Sequence, residues 1–258
     1  MIPAPITAIF FELTDKILKC FQKSPSPIIL NPMLKFICAD LDARPLFWTE
    51  KQKRFGFEPE LAQAIAKEMG EELQWVFLKW ADFSTYLLSG KADAILCGSA
   101  ITSDREKQLL YSRPYAYFNE SVLIRSEDRF EKIEDFQGRV LGAIRGSTNM
   151  ALAQQWKGCQ YRAFDGTSDN VFKEMIDALA SGEVDGVIDD EPAFGGIIQN
   201  PQFKIAFTVE TQNPWGVAMR KDNTRLKKRI DQALDQIYQN SLHQKIWRDN
   251  FNIPYPEI

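Results

Sequence analysis

Leu87-Leu88-Ser89-Gly90-Lys91-Ala92-Asp93-Ala94-Ile95-Leu96 returns ninety-two positions later as Leu179-Ala180-Ser181-Gly182-Glu183-Val184-Asp185-Gly186-Val187-Ile188. Each copy reads as a helix end, a glycine stop, a short turn, an aspartate and a buried strand. The first copy closes a run that starts with a strand at 34–39. It continues with a helix opened by Phe57-Glu58-Pro59-Glu60 and stopped at Gly70, a strand at 73–78 and a helix at 82–89. Pro59 and the flanking acids suit a first helical turn. The second copy closes a similar run: a strand at 140–144, a helix from Thr148 to about Trp156, a strand near Tyr161 and a helix at 169–181. Two βαβαβ units in one chain predict an α/β protein with two similar lobes.

Open parallel sheets bind ligands beyond the carboxyl ends of their strands. The stretches leaving those ends are 40–44, 97–105, 145–149 and 189–191. A ligand held between two such edges would face Asp40, Arg105, Ser147, Thr148 and Asp190, a set carrying both charge signs that suits a zwitterion.

Composition excludes several other roles. Thirty-one Lys and Arg against thirty-five Asp and Glu give a net charge of -4, which offers no basic footprint for nucleic acid. Charged residues interrupt every apolar stretch before it reaches membrane-spanning length. Cys20, Cys38, Cys97 and Cys159 are scattered singly, without metal-ligand spacing; their even number would allow disulfides in an oxidising compartment, and buried free thiols are the plainer reading. The single histidine, His243, lies in a charged, helical-looking tail and is a poor candidate for a base held by a third group. No metal and no cofactor are expected.

Residues 1–33 read as an N-terminal extension. Ile6, Ile9, Phe10, Leu13, Ile17, Leu18 and Phe21 fall at helical spacing, and Ser24-Pro25-Ser26-Pro27 with Asn31-Pro32 form a linker. The stretch lacks the basic start and uninterrupted apolar run of a secretory signal. Met33 is therefore an alternative start.

Several ordered motifs resemble the bacterial solute-binding proteins of family 3, which serve ABC importers of polar amino acids. They are Gly90–Ile95, Ile101-Thr102-Ser103-Asp104-Arg105, Tyr111-Ser112-Arg113-Pro114-Tyr115, Gly138–Gly142 with Gly146-Ser147-Thr148, Ser181–Asp185 with Asp190, and Trp215–Lys221. The resemblance covers about residues 34–251. It implies a two-lobed clamshell of the type II periplasmic-binding-protein kind, each lobe an open βαβαβ-based sheet with helices on both faces. Lobe 1 would be 34–118 plus 214–258, lobe 2 would be 122–210, and 119–121 with 211–213 would form the hinge.

By the same resemblance Arg105 grips the ligand carboxylate with its guanidinium fork. Ser147 and Thr148 share that carboxylate, although a serine there is equally a plain helix cap. Asp190, with Asp189 and Glu191 as rivals, holds the ammonium. Asp40 contacts the amine or side chain, Trp80 packs on the ligand, and Gly98 lends its carbonyl. Ala43 and Ala100 depart from the family pattern, and Cys97 and Arg145 border the pocket.

The implied role is non-catalytic binding of a polar α-amino acid by a monomer that delivers it to a permease. The family resemblance implies a periplasmic protein, whereas the signal-free terminus suits a cytoplasmic sensor. A further resemblance, to cyclohexadienyl dehydratases, offers an enzymatic alternative with Glu120 or Glu191 as general acid.

Overall fold

The computed structural model describes residues 32–251 and Tyr255. The amphipathic helix and linker expected upstream lie outside the described residues. Twelve strands are described: β1 (Met33–Cys38), β2 (Trp48–Glu50), β3 (Lys53–Phe55), β4 (Glu72–Phe77), β5 (Ala94–Ile95), β6 (Leu109–Tyr111), β7 (Ala116–Arg125), β8 (Val140–Ile144), β9 (Gln160–Phe164), β10 (Gly186–Asp190), β11 (Phe203–Trp215) and β12 (Ala218–Arg220). They form two five-stranded sheets, ordered β4-β1-β5-β12-β6 and β11-β7-β10-β8-β9, with β2 and β3 as a separate hairpin.

The two sheets are built alike. In each, three strands run parallel, β4-β1-β5 in the first and β9-β8-β10 in the second. In each, two further strands add antiparallel beyond the third, β12 and β6 in the first and β7 and β11 in the second. The sequence pattern predicts the parallel halves and misses the antiparallel ones. The structure therefore extends the expected βαβαβ units into mixed sheets.

The sequence echo is a physical device used twice. Gly90 and Gly182 adopt positive φ, at 77° and 80°, and their amides donate to the carbonyls of Leu87 and Leu179. Glycine alone turns the chain out of the helix there without steric cost. Three residues on, Asp93 accepts a hydrogen bond from the Lys35 amide at 2.8 Å while its own amide donates to the Lys35 carbonyl. Asp185 repeats the exchange with Val140, at 2.8 Å in both directions. Each aspartate thus closes the start of a parallel ladder whose amides would otherwise lack partners.

Helix Phe57–Met69 buries Phe57, Leu61, Ala62 and Ile65 against the first sheet, and Gly70 caps it in the left-handed conformation. Phe57 sits in an aromatic cluster with Phe118, Trp247 and Phe251 at ring separations of 5.1–6.4 Å. A smaller core of Val122, Phe136, Leu141, Trp156 and Ile188 supports the second sheet. We predict that Asp93→Ala and Asp185→Ala each destabilise the protein by about 1–3 kcal/mol, since each strands a half-buried amide. Urea denaturation checks this, and unchanged midpoints would contradict it.

Candidate functional site

The strand order reverses between β1 and β5 and between β8 and β10, and the carboxyl ends at both points face one cavity. It encloses about 720 Å³ of empty space, part of it open to solvent. Six of the seven residues expected at a ligand line it: Trp80, Gly98, Arg105, Ser147, Thr148 and Asp190. The structure places Asp40 elsewhere. Its side chain is 55% exposed, accepts a hydrogen bond from Thr49 Oγ1 at 2.8 Å and pairs with Arg54 at 3.4 Å. Arg54 comes from the hairpin strand β3. It is held under Phe47, Trp75 and Phe77 and also donates to the Ala39 carbonyl, so it draws Asp40 away from the cavity.

The cationic end is built by a short turn. Thr102 Oγ1 accepts from the Arg105 amide, and Arg105 Nη1 donates to the Ala100 carbonyl at 3.0 Å. The guanidinium lies 5.6 Å above the centre of the Trp80 ring, an arrangement that favours a cation over an aromatic face. Trp80 and the Ala100 carbonyl hold one side of the fork, and Arg105 lines the cavity.

Across the cavity stands an acidic cluster. Glu120 of β7 pairs in register with Asp190 of β10, and Ser121 with Asp189. Glu120 is 1% exposed, and Glu120 Oε1 and Asp190 Oδ1 are both buried without a hydrogen-bond partner. Burial raises all three carboxyls above the ordinary carboxylate range, Asp189 to about 7. Mutual repulsion lifts Asp189 and Asp190 further, while Arg105 and Asn149 pull Asp190 back down. Asn149 was absent from the expected set, yet it is buried on the cavity wall beside Asp190. Glu191 does not line the cavity, nor does Glu120, which stands behind Asp190.

Ser147 proves to be a helix cap. Its hydroxyl accepts from the Met150 amide at 3.0 Å and donates to the Ile144 carbonyl at 2.8 Å. Thr148 takes the first helical position, where the amide has no intrahelical partner. Gly98 is fixed from behind: its amide donates to Glu58 Oε1 at 2.7 Å, and the Tyr115 hydroxyl donates to the same oxygen. Glu58 is fully buried, and burial pushes its carboxyl up to about 7. In the sequence Glu58 reads only as a first-turn acid, so its inward position was not legible. His243 is likewise buried away from the cavity. It bonds the Tyr115 carbonyl and the Tyr255 hydroxyl, and burial lowers it to about 4.

Around the cavity mouth, contacts bridge residues on its two sides. The Ala81 amide donates to the Gly166 carbonyl, the Gly196 amide donates to the Arg44 carbonyl, and Lys79 pairs with Asp169 at 3.4 Å.

The raised carboxyls set the pH dependence. A carboxyl with a higher pKa in the fold than in the unfolded chain stabilises the fold below its ordinary range, and that contribution is lost as the pH rises through about 7. His243 acts oppositely, contributing above pH 6.5 and losing that contribution as the pH falls through about 4. Several carboxyls outweigh one imidazole. The ligand-free protein is therefore predicted to melt at a higher temperature at pH 5 than at pH 8, and Glu58→Gln should shrink the difference. A melting temperature that is flat or rises with pH over that range would contradict this.

Comparison with known proteins gives a consistent result. The family described as bacterial extracellular solute-binding proteins, family 3, matches over residues 36–252. The ABC transporter arginine-binding protein 1 of Escherichia coli K12 is 28% identical over 197 residues, 74% of this chain and 79% of the relative. The L-cystine-binding protein of the same organism is 26% identical over 205 residues, 78% of this chain and 75% of the relative. Among solved structures, an ancestral arginine-binding protein bound to arginine superposes with a TM-score of 0.78 at 27% identity, covering 86% of this chain and all of that one.

Proposed function

The chain belongs to the bacterial extracellular solute-binding proteins, family 3, and we propose that it captures a zwitterionic α-amino acid between its two sheets for handover to an ABC-type importer. The observation that carries this reading is the placement of Arg105 and the Asp189–Asp190 pair on the walls of one cavity, a cation on one side and ionisable carboxyls on the other. A guanidinium fork pairs bidentately with a carboxylate, and an ammonium satisfies buried carboxylate oxygens that otherwise lack partners. The Thr148 amide supplies a further donor to the carboxylate. Asp190, backed by Glu120 and Asn149, receives the ammonium, and Trp80 and Gly98 wall the ligand in. The relatives named above are binding proteins, and the role is non-catalytic.

Release requires the contacts at the mouth to part, and we place the hinge at 119–121 and 211–213. Support comes from the backbone there. The β7–β11 register shifts between Val209 and Asn213, Gln212 adopts a positive φ of 46°, and the Gln212 amide donates to Asn119 Oδ1. An irregular ladder bends more readily than a regular one. As for location, the family is extracellular by description, and no helix of the described residues is long and apolar enough to cross a membrane.

A thermal-shift screen against the standard amino acids should identify at least one that raises the melting temperature, because a ligand bound only to the fold stabilises it. Arg105→Ala should abolish that shift while leaving the ligand-free melting temperature within a few degrees of the wild type. Asp190→Asn should weaken binding at least tenfold. A screen without any shift, or an Arg105→Ala variant that binds as well as wild type, would sink the reading.

A further inference from the structure

The charged groups of the cavity stand at one end, and the other end is walled almost wholly by carbon. Leu41, Leu46 and Phe47 line it from one side, and Val171, Phe172 and Ala193 line it from the other. Five of these six are buried to 6% exposure or less, so the wall is formed in the structure as it stands. Leu41, Phe172 and Ala193 also line an outer groove, whose rim carries Asp42, Arg44 and Lys173.

Most charged side chains near this end are turned outward or already neutralised, and Asp82, in a recess that shares Leu41 and Val171 with it, is exposed to solvent. Asp40 is engaged by Thr49 and Arg54. Asp42 and Arg44 pair with each other at 3.0 Å, both about half exposed. Arg145 lines a neighbouring recess with Gly146 and Tyr111. Lys79 is paired with Asp169, and Lys173 lies in the outer groove and pairs with Asp177. The acids that do line the cavity, Asp189 and Asp190, belong to the end facing Arg105. A guanidinium, ammonium or carboxylate pushed into the apolar end would thus be desolvated without a counter-charge, which disfavours it. An apolar group there would instead be favoured by its removal from water.

We infer that the ligand is an α-amino acid with an uncharged, predominantly apolar side chain, of the leucine, methionine or phenylalanine kind. This sets the protein apart from the arginine-binding and cystine-binding relatives named above. It rests on the α-amino-acid reading of the Arg105 and Asp190 end and adds the class of side chain that the opposite end selects.

The test is calorimetric titration of the full chain with leucine, methionine, phenylalanine, arginine, glutamate and glutamine, followed by the amide and the N-acetyl derivative of whichever binds tightest. One of the three apolar amino acids should bind at least tenfold tighter than arginine, glutamate and glutamine, and each blocked derivative should lose at least tenfold. Should arginine, glutamate or glutamine bind as tightly or tighter, with blocking still costly, the side-chain inference is overturned and the α-amino-acid reading survives. Blocked derivatives that bind as well as their parents, or no binding by any of the six, would overturn both. A second variant gives an independent check. Ala43→Glu places a carboxylate in the wall of the apolar end, so it should improve the affinity for arginine relative to the best apolar ligand at least tenfold, and an unchanged ratio would count against the inference.

Discussion

The antiparallel pairing of β7 with β11 is the constraint on which the rest of the molecule depends. At one end of this ladder Ala116 and Tyr117 face Trp215 and Pro214, and there the chain is tied to the first sheet through Ser99, Ala100 and Ile101. At the other end Ser121 to Arg125 face Phe203 to Thr208 and form the antiparallel side of the second sheet. The two strands therefore belong to both bodies at once. The Ser121 and Thr208 hydroxyls bond across the ladder at 2.7 Å where it enters the second sheet. Asp190 reaches the cavity because β10 is registered on this ladder, and Glu120 stands behind Asp190 for the same reason.

That register creates the electrostatic character of the site. Three carboxyls on neighbouring strands share a poorly solvated volume, and neither burial nor mutual repulsion favours their ionisation. A preformed acidic pocket of this kind carries an unfavourable energy in the empty protein, which an incoming ammonium relieves. Arg105 is treated differently, since an aromatic face and a carbonyl support it. In the proposed function one end of the ligand would meet a supported cation and the other would meet carboxyls that must give up protons to hold it. Differential stabilisation of this sort favours closure around a zwitterion over closure around water.

How much was legible beforehand follows from the kind of interaction involved. The echo at 87–96 and 179–188 was readable because each of its residues does a local job: the glycine turns the chain and the aspartate closes the nearest ladder. The strands β7 and β11 escaped notice because their middles are polar. Asn119-Glu120-Ser121 and Glu210-Thr211-Gln212-Asn213 look like loops, and only long-range pairing explains a strand at Glu120 and Ser121, both of which are buried. Motif order points to Arg105, in a helical turn beyond β5, and to Asp190, the last residue of β10, and both line the cavity. It also points to Asp40, whose side chain is instead engaged by Arg54, fourteen positions away on a hairpin. Glu58 and Asn149 follow the same pattern: their roles depend on what approaches them from distant parts of the chain.

In the proposed function the acid cluster is the charged partner of the ligand's ammonium. Isothermal calorimetry at pH 7, in two buffers with different ionisation enthalpies, tests it most directly with the tightest amino acid ligand. Carboxyls held above their ordinary range in the empty cavity must ionise to receive a cation, so the account predicts net release of protons on binding, diminished in Asp189→Asn. Binding of equal affinity and equal heat in both buffers, without proton exchange, would contradict it.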